Sequence, residues 1–218
     1  MQIAYNVSKT QNGAVVYLNI DRSNNDLFGI LALQNGKFKR EEIFKRKFEP
    51  AEIAKIYNIS KEIGQASLFV ENETSVIEKF IDRCKIIDPG EKIRLIVVDS
   101  IQQLSNNRGF PQDQFHEVSL HKLKLFAKSI NCAVLVLSNL PFEIYERESK
   151  SPQLSDLQAT PAIRDMAHLV LMLNRYDAYY PDTKNKNTIL ISVEKNKDGM
   201  LGAILYKWDD EHLLIEDY

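Results

Sequence analysis

The sequence has little cysteine, no excess of charge of either sign and no long apolar run. Its two cysteines, Cys84 and Cys132, form neither a CxxC pair nor a zinc-ligand spacing, so the plain reading is a reduced, cytosolic compartment. Lys and Arg number 28 against 30 Asp and Glu, a net charge of −2, so no global basic field draws nucleic acid in and any DNA contact is a local patch. No stretch approaches the roughly 18 apolar residues of a membrane span. The opening MQIAYNVSKTQNG lacks the apolar core and cleavage site of a secretory signal, and the expectation is a soluble, cytoplasmic chain without membrane contact. Repeats, low-complexity tracts and a nucleophile elbow are also missing. His116 and His121 stand about 140° apart around a helix and do not make a metal-binding pair.

What is there is a globular composition. Hydrophobic residues make up 44% and charged residues 27% of 218, enough for one large α/β domain or two small ones, and the chain reads as one. Residues 1–11 suit a helix with Ile3, Ala4 and Val7 on one side, ended by Asn12-Gly13. AVVYLNI, from Ala14 to Ile20, is apolar on both alternating faces, as in a strand covered on both sides. Asn24-Asn25-Asp26 cap a short helix over LFGILAL; Gln34 to Pro50 has no pattern; Ala51 to Gly64 is helical, with Ile53, Ile56, Tyr57 and Ile63. ASLFVEN is a second strand. A helix from Ser75 to Ile87 buries Cys84, Asp88-Pro89-Gly90 breaks it, and RLIVVDS follows as a strand. A helix from about Asp113 to Asn131 aligns Phe115, Val118, Leu123, Phe126 and Ile130, and AVLVLSN is the next buried strand. After the unpatterned Leu140–Ser155 come a short helical piece, a strand at LVLMLN, and the hairpin-like TILISVEKN, LGAILYKW and LLIEDY. The expected fold class is α/β: a mostly parallel sheet with helices on both faces and antiparallel C-terminal edge strands.

The sharpest chemical signal is the strand Leu95-Ile96-Val97-Val98 delivering Asp99 and Ser100 at its carboxyl end. Ligands of such sheets bind beyond the carboxyl ends of the strands, and a hard magnesium ion bridging nucleotide phosphates needs an oxygen ligand held there. An Asp in that place also caps turns, and the hexamer alone leaves both readings open. Two further strands end alike, AVVYLNI at Asp21 and AVLVLSN at Ser138 and Asn139. The GxxxxGK[ST] loop that would cradle a triphosphate is absent; Asn35-Gly36-Lys37 and Pro89-Gly90-Glu91-Lys92 lack the glycine spacing and the terminal hydroxyl.

Together these blocks resemble, in order and over nearly the whole chain, the C-terminal RecA-like motor domain of DnaB-type replicative DNA helicases. MQIAYNVSKTQNGAVVYLNIDRS resembles the helix after the family's P-loop and the strand ending Leu-Glu-Met-Ser. RLIVVDSIQQLS is similar to its Walker B strand, and EVSLHKLKLFAKSINCAVLVLSNL to its Ser-Leu-Lys-Ala-Leu-Ala-Lys helix and the strand ending Ser-Gln-Leu. SPQLSDLQATPAIRDMAHLVLMLNR resembles the Ser-Asp-Leu-Arg block, and VEKNKDGMLGAILYKW the Lys-Gln-Arg-Asn-Gly-Pro-x-Gly hairpin. The match begins just downstream of the P-loop, and the expectation is a single motor domain, residues 1–218, shortened at that point.

The resemblance implies hydrolysis of Mg-ATP at the subunit interfaces of a hexameric ring that moves along single-stranded DNA and unwinds the duplex during replication. It implies that Asp99 holds magnesium through water with Ser100 beside it, that Asp21 polarises water, and that Asn139 senses the nucleotide. Lys195 and Lys197 would reach a neighbour's phosphates. Loops at Ser105–Gln114 and Leu140–Ser155 would face DNA through Arg108, Arg147 and Lys150. Primase or a helicase loader is the implied partner. Four positions depart from the family: Asp21 for Glu, Asn139 for Gln, Gln158 for Arg and Lys197 for the arginine finger. Shortening a general base by a methylene moves its carboxylate by roughly the 1 Å that can cost about 100-fold in rate, and lysine loses the planar fork of arginine. The expectation is therefore a helicase motor domain inactive alone. A non-hydrolysing helicase-like subunit that binds DNA or a partner in replication or plasmid and prophage maintenance is the alternative, and a free-standing RecA-like regulatory ATPase the third reading.

Overall fold

In a computed structural model, residues 1–10, 13–36, 38–44, 48–88, 92–106, 109–159 and 161–218 are described. The expected turns at Asn12 and Pro89-Gly90, and Arg108, lie outside them. The chain forms two compact units, Met1–Phe110 with His121–Ser138, and Pro111–Leu120 with Asn139–Tyr218.

The first unit opens with α1 (Gln2–Thr10), β1 (Ala14–Asn19), α2 (Asn24–Gly36), α3 (Arg40–Phe44), α4 (Pro50–Gly64) and β2 (Leu68–Glu71). There follow α5 (Ile77–Ile87), β3 (Ile93–Asp99), the part of α6 (Gln112–Ile130) from His121 onward, and β4 (Ala133–Val136). Its sheet has the order β2-β1-β3-β4 and is parallel throughout. Every residue of β1 is buried, as its unbroken apolar pattern predicts for a strand covered on both faces. One face, Val15 and Tyr17 with Leu95 and Val97, packs on Ala4 of α1, with Met1 and Val7 against it. The other face, Val16, Leu18, Ile96 and Val98, is buried as well. Gly13 is required at the entry to β1, because a Cβ there would lie 2.3 Å from the Lys92 carbonyl oxygen.

Several helical faces are rotated from those expected. α1 buries Ala4, Tyr5 and Ser8 and leaves Ile3 exposed, and α6 buries Phe115, Ser119, Leu123 and Ala127 at i, i+4 spacing while Val118 is exposed. A small polar residue with its hydroxyl turned inward outranked the nearby valine, which hydropathy counting alone cannot foresee. The cap of α2 is Ser23: the Asp26 N–H donates to its Oγ at 3.1 Å while its own N–H donates to Asp26 Oδ2 at 3.3 Å. α4 starts on Pro50, with the Glu49 N–H donating to Glu52 Oε2 at 2.8 Å, and it buries no residue fully; Ile53 and Tyr57 are exposed. Cys84 is buried, which pushes its thiol up to about 12.

The second unit contains a 3-10 turn at Phe142–Tyr145 inside the stretch without a sequence period and another at Leu154–Ala159 where the short helical piece begins, then α7 (Pro161–Met166), β5 (Leu169–Asn174) and α8 (Tyr176–Tyr179). β6 (Thr188–Asn196), β7 (Gly202–Asp209) and β8 (Leu214–Glu216) complete an antiparallel sheet of order β5-β6-β7-β8. β5 alternates strictly: Val170, Met172 and Asn174 are buried, Leu169, Leu171 and Leu173 exposed. Val170 and Met172 pack on Leu157, with Leu140, Leu154, Ile163 and Ala167 around them.

Candidate functional site

The carboxyl ends of β1 and β3 lie side by side, with Asn19 paired to Asp99 in register. Side chains two residues apart on a strand share a face, so Tyr17, Asn19, Val97 and Asp99 all point to the α1 side of the sheet. Tyr17 uses this diagonal: its hydroxyl donates to Asp99 Oδ2 at 2.5 Å. Burial, and then the carboxylate accepting its proton, push the Tyr17 hydroxyl well above its ordinary range. It stays a donor at all physiological pH, and Asp99 is held by one of its two oxygens. Met1, at the start of α1, lies within electrostatic reach of Asp99 and Arg22.

Asn19 is almost wholly buried. Its amide donates to the Arg22 carbonyl at 2.5 Å and accepts the Arg22 N–H at 3.2 Å, closing the turn that carries Asp21. Asp21 itself is exposed just past the end of β1. Ser100 is buried, joined to Asp99 by a cis peptide bond, and the Ile101 N–H donates to the Leu137 carbonyl at 3.1 Å. Gln102 donates to Ser138 Oγ at 2.8 Å, tying the segment after β3 to the end of β4. Tyr17, Asn19, Asp21, Asp99, Ser100, Gln102 and Ser138 are thus gathered at one end of the parallel sheet. Sequence reasoning named Asp21, Asp99, Ser100 and Ser138 and missed Tyr17, Asn19 and Gln102. The readable signal was a tyrosine and an asparagine inside an otherwise apolar buried strand, since a buried polar group requires a partner.

The other expected site residues that are described belong to the second unit. Asn139 is exposed. Lys195, expected to project from the hairpin, instead folds its ammonium onto the Arg164 carbonyl and the Asp165 carbonyl, the latter at 3.2 Å, satisfying orphan carbonyls of the last turn of α7. Lys197 is exposed, its backbone N–H donating to the His168 carbonyl at 3.0 Å. Gly199, in the turn between β6 and β7, does not lie in the left-handed region. Its need for smallness comes from Asn196, whose amide nitrogen a Cβ would meet at 2.8 Å while that side chain staples the loop to the Asp198 N–H.

Arg147 and Lys150, expected to face DNA, are both engaged internally. Arg147 forks onto the two oxygens of Asp156 at 2.8 and 2.9 Å and also donates to the Ser149 and Ser151 carbonyls. Lys150 donates to the Tyr145 and Arg147 carbonyls at 2.5 Å each. Among the described residues no cluster of three His, Cys, Asp or Glu is arranged to hold a metal, and no helix is long and apolar enough to cross a membrane.

Residues 1–217 match the family described as DnaB-like helicase C terminal domain. The replicative DNA helicase DnaB of Geobacillus stearothermophilus is 24% identical over 207 residues, covering 94% of this chain and 46% of that protein. A probable plasmid replicative DNA helicase of Chlamydia psittaci is 25% identical over 202 residues, covering 91% of this chain and 44% of that one. The chain therefore spans about half the length of the curated relatives it matches. Among solved structures, one ATPase domain superposes with a TM-score of 0.90 at 19% identity, covering 99% of this chain and 78% of that one. A DnaB-like replicative helicase studied with its interactions with primase gives 0.88 at 20% identity, covering 99% and 52%. The parallel sheet, its helices and the antiparallel C-terminal sheet are thus the RecA-like fold of these ATPase domains, and the chain belongs to the DnaB-like helicase C-terminal domain family.

Proposed function

We propose that the chain is the motor portion of a replicative DNA helicase, acting in the cytoplasm on single-stranded DNA as part of a hexameric ring, with primase or a helicase loader as partner. The observation that carries this reading is Asp99, delivered by β3 and held through one oxygen by Tyr17, beside the Asn19-pinned turn that carries Asp21. A rigid carboxylate at the end of a parallel strand suits a water-bridged magnesium ion, and Asp99 with Ser100 would hold Mg-ATP there. When bound, that group supplies the phosphoryl-transfer free energy. Asp21 would orient water, Asn139 would sense the nucleotide, and Lys197 would act on a neighbour's phosphate. Lys195 must leave its α7 carbonyls to do the same.

Because these 218 residues carry no GxxxxGK[ST] cradle, the chain alone neither binds Mg-ATP tightly nor hydrolyses it. Calorimetric titration tests this. The expected result is no saturation in the low micromolar range, whereas tight binding would mean that other residues have rebuilt the cradle. Sedimentation velocity should show a monomer or weak association. Mixed with a P-loop-bearing helicase subunit, the chain should raise ATP hydrolysis, and Asp99→Asn or Lys197→Ala should change that rate while leaving the melting temperature in place. The second reading, a non-hydrolysing helicase-like binding subunit, draws on Asp21, Asn139 and Gln158 at positions where the family carries Glu, Gln and Arg. It takes over if the mixture forms a complex but hydrolysis does not rise.

A further inference from the structure

The second unit carries an aromatic ladder that the nucleotide chemistry leaves unused. Phe142 and Tyr145, on one 3-10 turn, stack with ring centroids 5.2 Å apart and planes at 29°. Tyr145 leans on Tyr179 of α8 at 5.4 Å and 58°. Phe142 is 72% and Tyr145 55% exposed, so two adjacent large rings face solvent. They are held in place from behind: Ile144, between them, is buried, and the Tyr180 hydroxyl donates to the Glu148 carbonyl at 2.9 Å.

The charge around this ladder is one-sided. Glu143, Glu146 and Glu148 are exposed and have no ion-pair partner among the described residues. The two cations of the same segment are consumed, Arg147 by Asp156 and Lys150 by the Tyr145 and Arg147 carbonyls. A phosphate backbone approaching the rings would meet three carboxylates and no available cation from this segment, which opposes nucleic-acid binding. A lysine or arginine side chain meets complementary charge and two ring faces for cation–π contact, with its methylene stem covering the apolar edges.

We infer that the Phe142–Tyr145 ladder, rimmed by Glu143, Glu146 and Glu148, is a docking surface for a basic segment of a protein partner. The inference does not depend on nucleotide binding by the first unit. A labelled peptide of lysine and leucine is titrated against the whole chain, alongside its glutamate–leucine counterpart and an oligothymidylate. The lysine peptide should bind saturably and the glutamate peptide should not. Phe142→Ala with Tyr145→Ala should weaken the lysine peptide about tenfold, and so should Glu143→Lys with Glu146→Lys, both at unchanged melting temperature. No saturable binding, equal binding of the two peptides, or affinity indifferent to both double variants overturns the inference. Oligothymidylate binding that is lost when the rings are removed overturns it in favour of a nucleic-acid surface.

Discussion

The two sheets of this chain spend polar side chains in opposite ways. In the parallel sheet the central strands β1 and β3 are buried on both faces, and Tyr17, Asn19 and Asp99, at or near their carboxyl ends, are bonded there, Tyr17 to Asp99 and Asn19 to the Arg22 backbone. In the antiparallel unit every second residue of β5 meets solvent, and polar groups are spread along loops that they hold in shape: Arg147 on Asp156, Lys195 on α7, Arg175 between Asp177 and Asp210. Burial on both faces leaves a strand only its end for chemistry. A one-sided sheet has room elsewhere, and there its cations serve as struts. A charged residue in a loop of this fold is therefore weak evidence for a ligand until its own hydrogen bonds have been counted.

Core truncations should separate the two sheets most. Ile96→Ala, fully buried in β3, should cost about 2–5 kcal/mol in urea unfolding, and Leu171→Ala, 41% exposed on β5, under about 1 kcal/mol. Equal costs would mean that the exposed face of β5 is covered in solution. Next in size is Arg147→Ala, which strands the nearly buried Asp156 carboxylate and should cost about 1–3 kcal/mol without lowering oligonucleotide affinity. Loss of DNA binding at unchanged stability would restore Arg147 as a DNA contact.

Lys195→Gln should cost about 1 kcal/mol and speed amide exchange at Ala167, whose N–H donates to Ile163, while Lys197→Ala should do neither. If the two lysines behave alike, the capping of α7 is not what holds Lys195. The smallest effects are in pH. Burial keeps Cys84 protonated up to about 12, so the unfolded chain releases its proton first and the first unit should lose stability as pH rises above the ordinary thiol range, a limb that Cys84→Ala flattens. Asp209 has the opposite sign. Partial burial alone would raise its carboxyl, but the His212 ring at 2.7 Å and the His212 and Glu211 N–H groups hold it below its ordinary value. Its contribution is present above the ordinary carboxylate range and lost as pH falls below it, and Asp209→Asn should flatten that acid limb.

Strand and helix positions were readable because apolar periodicity is a local property. β1, β3, β4 and β5 lie where continuous or alternating apolar runs placed them, and α5 buries Cys84 as its spacing implied. Asp99 was legible for the same reason, since a carboxylate ending an apolar run lies at the end of a buried strand whatever surrounds it. The short turn over Phe142–Tyr145 and the α8 helix carry no period long enough to read.

What the sequence by itself determined is the α/β order of elements, the burial of β1 and β3 and the carboxylate that β3 presents; β4, expected to be buried, lies at the edge of its sheet and is only half covered. What only the tertiary structure decided is which polar groups find each other across distance in the chain. Tyr17 meets Asp99 from 82 residues away, Lys195 turns back 31 residues to the Arg164 carbonyl, and Arg147 is taken up by Asp156. Such pairings depend on strand register and on loop paths, which place a side chain to within an ångström only after the whole core has packed. A hydrogen bond, unlike a hydrophobic face, is either made at that distance or absent.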